Sequence, residues 1–128
     1  MSLAGRLFGQ AAESEAERYL RNKGYRILAR NARTPSGELD LVARAGSELV
    51  FIEVKARGSS EFGGAAGAVH GRKQARMVKL AAQYLARNRI RNQPCRFDVI
   101  LCAGGTEAPV VVEHIEHAFE VPGDDLRW

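Results

Sequence analysis

The chain has 128 residues, a length that suggests one domain of ordinary size around a single buried core. Hydrophobic residues at 45% beside charged residues at 27% exclude a disordered or fibrous chain. No apolar run approaches the roughly 20 residues needed to cross a bilayer and the N-terminus lacks a signal-peptide apolar region, so no membrane-spanning helix is expected, and two cysteines outside any disulfide framework fit a cytoplasmic protein. Cys95 and Cys102 stand in no metal or redox spacing, so they read as reduced thiols. The net charge is +4, and its distribution is uneven. No acidic residue lies between Glu61 and Asp98, an interval that carries Arg72, Lys73, Arg76, Lys79, Arg87, Arg89, Arg91 and Arg96. A one-signed segment of this kind suits phosphate binding, as it also suits a solvated helix face in an arginine-rich protein.

In chain order, Arg6 to Asn22 reads as a helix, with Leu7, Ala11, Ala12, Ala16, Tyr19 and Leu20 at helical spacing and Gly24 as its stop. Tyr25 to Asn31 reads as a strand, and Thr34-Pro35-Ser36-Gly37 is turn chemistry. Glu38 to Ala45 and Glu48 to Ala56 form a hairpin around Gly46-Ser47. Gly58 to Gly67, rich in Gly, Ser and Ala, reads as a mobile loop. A second helix is expected from about His70 to Arg89, burying Met77, Leu80, Ala81, Tyr84 and Leu85. Arg96 to Cys102 and Pro109 to His114 read as strands, Ile115 to Phe119 as a last helical turn, and residues 121–128 as a loosely packed tail. The order αβββαββ implies one α/β domain spanning residues 1–128, with a central mixed sheet flanked by helices.

A two-residue turn fixes the hairpin register. Ala45 pairs with Glu48, which sets Asp40 opposite Glu53 and Glu38 opposite Lys55, all four on one face. Leu39, Leu41, Ala43, Val50, Ile52 and Val54 fill the other face. Two carboxylates facing each other at about 5 Å repel, so a hairpin that keeps them needs a reason. A divalent cation supplies one, because Mg²⁺ takes one or two carboxylates together with waters and substrate phosphate. Lys55 then stands where it can position a water or stabilise a developing oxyanion. A solvated ion-pair ladder is the plainer reading of the same residues.

The stretch GELDLVARAGSELVFIEVK, Gly37 to Lys55, resembles the PD-(D/E)XK nuclease superfamily: Asp40, twelve intervening residues, then Glu53-Val54-Lys55. Over nearly the whole chain the order of blocks is more closely similar to the YraN-like family of predicted endonucleases, related to archaeal Holliday-junction resolvases. The blocks are AExxAxxYL at Ala12 to Leu20, GYRILARN, GELDLV, VFIEVKAR, the helix with Lys73, and RFDVIL. The resemblance implies a restriction-endonuclease-like fold and DNA as partner, branched DNA included, with Mg²⁺ or Mn²⁺ as cofactor. It makes Asp40, Glu53 and Lys55 catalytic, and Asp40, Glu53 and Glu13 metal ligands. Ala12 stands where the family usually has Gly before that Glu, and a helix-surface carboxylate is the other reading of Glu13. Arg57, Arg72, Lys73, Gln74 and Arg76 are candidates for DNA contact, with edge packing as the alternative for Lys73 and Gln74. Junction-cleaving relatives act as dimers, so a homodimer is part of what the resemblance implies. The rival reading is a catalytically silent DNA-binding or DNA-processing accessory protein on the same fold. His114 and His117 sit at a spacing for one helix face, a weak metal signal without a third ligand, and Arg96 and Asp98 share a strand face and suit a pair.

Overall fold

Long alternating apolar segments separated by turn residues can bury both faces only if helices cover them, and the chain solves this with a five-stranded sheet between two helices. The computed structural model describes residues 3–57, 71–104 and 108–120. Along these run α1 (Leu3–Asn22), β1 (Arg26–Thr34), β2 (Gly37–Ala45), β3 (Glu48–Arg57), α2 (Gly71–Arg87), β4 (Cys95–Ala103) and β5 (Val110–Ile115). The strands lie in the order β1-β2-β3-β4-β5. The sheet is mixed: β3 and β4 are parallel, joined through the segment that contains α2, and the other neighbours are antiparallel. The expected loop Gly58 to Gly67, the start of the second helix at His70 and the tail from residue 121 lie outside the described residues. Among the described residues no helix is long and apolar enough to cross a membrane.

Each face of the sheet has its own core. On one side α1 brings Ala12, Ala16 and Leu20 against Leu41, Ala43, Val50, Ile52, Ile100 and Cys102. The alanines let the helix lie close to the strands. Its end is closed by Gly24 in the left-handed region (φ +95°), where the Tyr25 N–H returns to the Leu20 carbonyl at 2.9 Å. On the other side α2 brings Met77, Leu80, Ala81 and Leu85 against Leu39, Val42, Leu49, Phe51, Phe97, Val99 and Leu101. There Phe51, Phe97 and Phe119 form a stack with centroid separations of 5.6 and 4.8 Å. β4 is buried on both faces from Cys95 to Cys102, as expected of a strand with parallel and antiparallel neighbours under two helices. Burial pushes both thiols up to about 11, so Cys95 and Cys102 are free and unreactive.

The hairpin follows the counted register from Ala45↔Glu48 to Leu41↔Ile52, and there the ladder ends. Glu38 is therefore not paired with Lys55; it is paired with Arg33 of β1, 3.4 Å from it in an exposed ion pair. Strict alternation also fails at this point. Leu39 belongs to the α2 core, whereas Leu41 belongs to the α1 core. The cause lies across the ladder: Arg30↔Leu41 and Ala32↔Leu39 bracket Asn31, which takes a left-handed φ of 49°. Asn tolerates that region better than most residues, and one such residue redirects the strands. The segment expected as a final helical turn, Ile115 to Phe119, is instead a strand end followed by a turn with His117 at φ 49°. The Ala118 N–H donates to the Phe97 carbonyl at 2.7 Å, and Phe119 stacks on the Phe97 ring; a helical turn would forgo both.

Gly37, at the β1–β2 turn, takes a backbone angle that L side chains rarely adopt. Its φ is +149°, and a Cβ there would stand 2.8 Å from an Arg76 guanidinium nitrogen of α2. Gly37→Ala is expected to destabilise the fold by about 1–2 kcal/mol and to displace Arg76. Urea unfolding of the two proteins measures this, and an unchanged midpoint would refute the backbone strain.

Candidate functional site

Where the β2–β3 ladder stops, the main-chain groups of the two strands lose one another and a side chain takes over. The Val54 N–H donates to Asp40 Oδ2 at 2.8 Å. The Asp40 carboxylate is thus wedged between the parting strands. Burial, the charge of Glu53 and, less strongly, that of Glu13 push its carboxyl up to about 7, although the Val54 amide and Lys73 act in the opposite direction. A carboxylate held in this state is far more costly than the fold alone requires.

Glu53 and Lys55 alternate with Ile52 and Val54 on β3, which turn toward α1, so both project on the α2 side. All four residues sit at the C-terminal part of β3. Glu53 Oε1 accepts from the Lys73 ammonium at 3.0 Å, with about a quarter of each side chain exposed. Burial opposes the charge on Lys73, but contacts with Lys55 and Glu53 and the charge of Asp40 hold its ammonium above the ordinary lysine range. Glu13 reaches the same region from α1. Burial raises its carboxyl, a hydrogen bond with Asn31 opposes this, and the charges of Glu38 and Glu53 raise it further. A cleft of about 210 Å³ lined by Gln10, Glu13, Arg30 and Asn31 opens beside it.

Glu13, Asp40 and Glu53 therefore stand close enough to feel each other's charge. Yet among the described residues no three acidic, histidine or cysteine side chains already converge as a closed cation cage. The residues expected along the approach divide differently. Arg72 and Arg76 are exposed on α2, Gln74 is half-buried, and the side chain of Arg57 lies outside the described ones. Lys73 is drawn into the acidic cluster. That position is what the residue types alone conceal, because a lysine in a basic helix reads like its neighbours until the helix is docked on the sheet.

The histidines do not form a site. His117 is exposed on its turn, whereas His114 lies buried on β5, its Nε2 2.8 Å from Asp98 Oδ2. Lys23, at the end of α1, donates to His114 Nδ1 at 2.9 Å, so Nε2 carries the hydrogen that His114 gives to Asp98. Arg96 is 3.0 Å from both Asp98 and Glu48, 3.3 Å from Glu116, and hydrogen-bonded to the Tyr25 hydroxyl. Burial opposes ionisation of Asp98, but the hydrogen bonds from His114 and Arg96 prevail and hold its carboxyl below the usual range. This network, at the opposite end of β3–β4 from Lys55, ties α1 and β5 to the sheet.

Residues 12–102 match the model of a family described as "Uncharacterised protein family UPF0102". Among curated relatives, a UPF0102 protein of Hahella chejuensis is 50% identical over 93 residues, 73% of this chain and 75% of its own. One of Symbiobacterium thermophilum is 44% identical over 114 residues, 89% of this chain and 97% of its own. One of Pelotomaculum thermopropionicum is 46% identical over 120 residues, 93% of this chain and 100% of its own. Among solved structures, Pyrococcus furiosus SfsA in complex with Ca²⁺ is similar at 14% identity with a TM-score of 0.37, over 87% of this chain and 64% of that one.

Proposed function

The chain belongs to the UPF0102 family, and from the geometry of its parted hairpin we propose that it is a metal-dependent nuclease of the PD-(D/E)XK kind, hydrolysing phosphodiester bonds in DNA, branched DNA among its substrates. The observation that carries the reading is the Asp40 carboxylate held between β2 and β3 by the Val54 amide, beside Glu53 and Lys55. A fold gains nothing from a buried carboxylate raised by its acidic neighbours, and a binding site for a cation gains a great deal.

The donor set fits Mg²⁺ or Mn²⁺. Asp40 and Glu53 would offer carboxylate oxygens, and two carboxylates suffice for a cation that completes its shell with water and phosphate. Glu13, whose charge acts on Asp40, would add a further oxygen, directly or through water. A bound divalent cation would polarise the phosphate and lower the pKa of a water at neutral pH. The chain's own residues do the rest. Asp40 is oriented by Val54 and cannot swing away. Lys55 lies on the same face as Glu53, where its nitrogen can hold the attacking water or meet charge developing on the phosphate oxygens. The exposed guanidinium groups of Arg72 and Arg76 on α2, with Gln74 and with Arg57 at the end of β3, would grip the DNA backbone through phosphate.

The test is cleavage of branched, flapped and single-stranded DNA with Mg²⁺ or Mn²⁺. The expected result is cation-dependent cutting that EDTA stops and that falls at least a hundredfold in Lys55→Ala. Full activity in Lys55→Ala, or none in the wild type with either cation on any substrate, would overturn the nuclease reading. The Lys73–Glu53 ion pair favours a second reading, a DNA-binding accessory protein without turnover. Its mark is DNA binding in the wild type that Lys55→Ala leaves unchanged, with no cutting.

A further inference from the structure

Lys73 sits in the first turn of α2, a helix that carries no acidic residue in that turn. Cations there oppose the helix macrodipole, so the placement serves something other than the helix. Its ammonium has left the solvated basic face that Arg72 and Arg76 share and lies 3.0 Å from Glu53 Oε1, with Lys55 in contact and Asp40 close enough to act on its charge. The charge of Glu13 is felt with those of Glu38, Asp40 and Glu53, and that of Asp40 with Glu53; Arg33 faces Glu38, whereas Lys73, with Lys55 in contact, faces Asp40 and Glu53. Glu53 thus already has a cationic partner on one of its two carboxylate oxygens.

We propose that Lys73 is the built-in counter-ion of this acidic cluster, occupying Glu53 until a divalent cation displaces it, so that loading the site and freeing the Lys73 ammonium are one event. The proposal rests on the metal-binding part of the reading above. It explains why the described side chains form no ready-made cage: Glu53 is turned to a lysine. It also leaves the freed ammonium at the mouth of the site, on the helix that presents Arg72 and Arg76 to solvent.

The probe is Mn²⁺ alone, titrated into the protein without DNA and followed calorimetrically. Lys73→Gln is expected to bind Mn²⁺ roughly tenfold more tightly than the wild type, the effect of removing one partly exposed competing ion pair. Lys73→Arg keeps the charge and is expected to stay within about twofold of the wild type. Lys79→Gln, which removes an exposed charge from the same helix, is expected to do likewise. Equal or weaker binding in Lys73→Gln would overturn the proposal, and so would an equal gain in Lys79→Gln, which would reduce the effect to net charge. The two readings fail separately. DNA cutting with Mg²⁺ while Lys73→Gln and the wild type bind Mn²⁺ alike removes the counter-ion role alone. Tighter Mn²⁺ binding in Lys73→Gln in a protein that cuts no DNA removes the nuclease role and leaves this one standing. Absence of Mn²⁺ binding in every variant removes both.

Discussion

Asp40→Asn is expected to abolish cleavage and, in the metal-free protein above pH 7, to raise the melting temperature. Both effects have one source. Asn keeps the oxygen that accepts from the Val54 N–H, so the junction of β2 and β3 stays closed. It removes the charge that burial and Glu53 oppose. The Asp40 carboxyl is raised from 3.8 to about 7 in the folded protein. Between those values the folded state binds the proton that the unfolded chain has released. The wild type therefore loses stability as pH rises through that window, and the loss is complete above about 7. The variant's advantage should be small at pH 4, widen to about pH 7 and then level off, reaching roughly 5 °C or more in melting temperature. Thermal melts in EDTA at pH 4, 6 and 8 measure it. A variant that melts below the wild type at pH 8 would refute the strained carboxylate; cutting within tenfold of wild type would refute its role in the chemistry.

Asp98→Ala is expected to act on the fold instead, at about 3–5 kcal/mol. Asp98 is wholly buried, and Arg96 is 6% exposed. Deleting the carboxylate strands that guanidinium against Glu48, Glu116 and Tyr25 without its nearest buried anion, and leaves the His114 Nε2–H without its acceptor. Domains of this size are stable by about 5–15 kcal/mol, so the variant would stand near the edge of folding at 37 °C. The pH dependence has the opposite sign to that of Asp40. The Asp98 carboxyl is held down, so its stabilisation is fully present above the ordinary carboxylate range and disappears as pH falls through its lowered value. Urea unfolding at pH 7 is the measurement, and a loss under 1 kcal/mol would show that the network is not what joins α1 and β5 to the sheet.

Periodicity gave the helix and strand types well because most contacts here follow from which residues must hide. The 3.6-residue spacing of Met77, Leu80, Ala81 and Leu85, and the two-residue turn at Gly46-Ser47, are local facts with local causes. The fold they build is a mixed sheet between helices, as the element order implied. What the sequence hid depended on distance along the chain or on a single backbone angle. Asn31 turns left-handed opposite Asp40 and sends Leu39 to the α2 core, which no count of alternation contains. Lys23 meets His114 across 91 residues, and Lys73 meets Glu53 only after α2 is docked. The His114–His117 spacing suggested a helix face because the stacking of Phe119 on Phe97, which closes the chain differently, is a tertiary contact.

The early end of the β2–β3 ladder separates two histories that most active sites keep bound together. From Ala45↔Glu48 to Leu41↔Ile52 the hairpin is complete, and both cores close without the acidic residues. Exchange of Asp40 for a neutral residue of the same shape therefore leaves the scaffold intact and relieves it. If the proposed cutting of DNA were no longer needed in a lineage, drift in stability alone would erase this site, leaving a well-folded protein free for recruitment to binding tasks. On the proposed function, retention of the costly carboxylate would be the mark of continuing use.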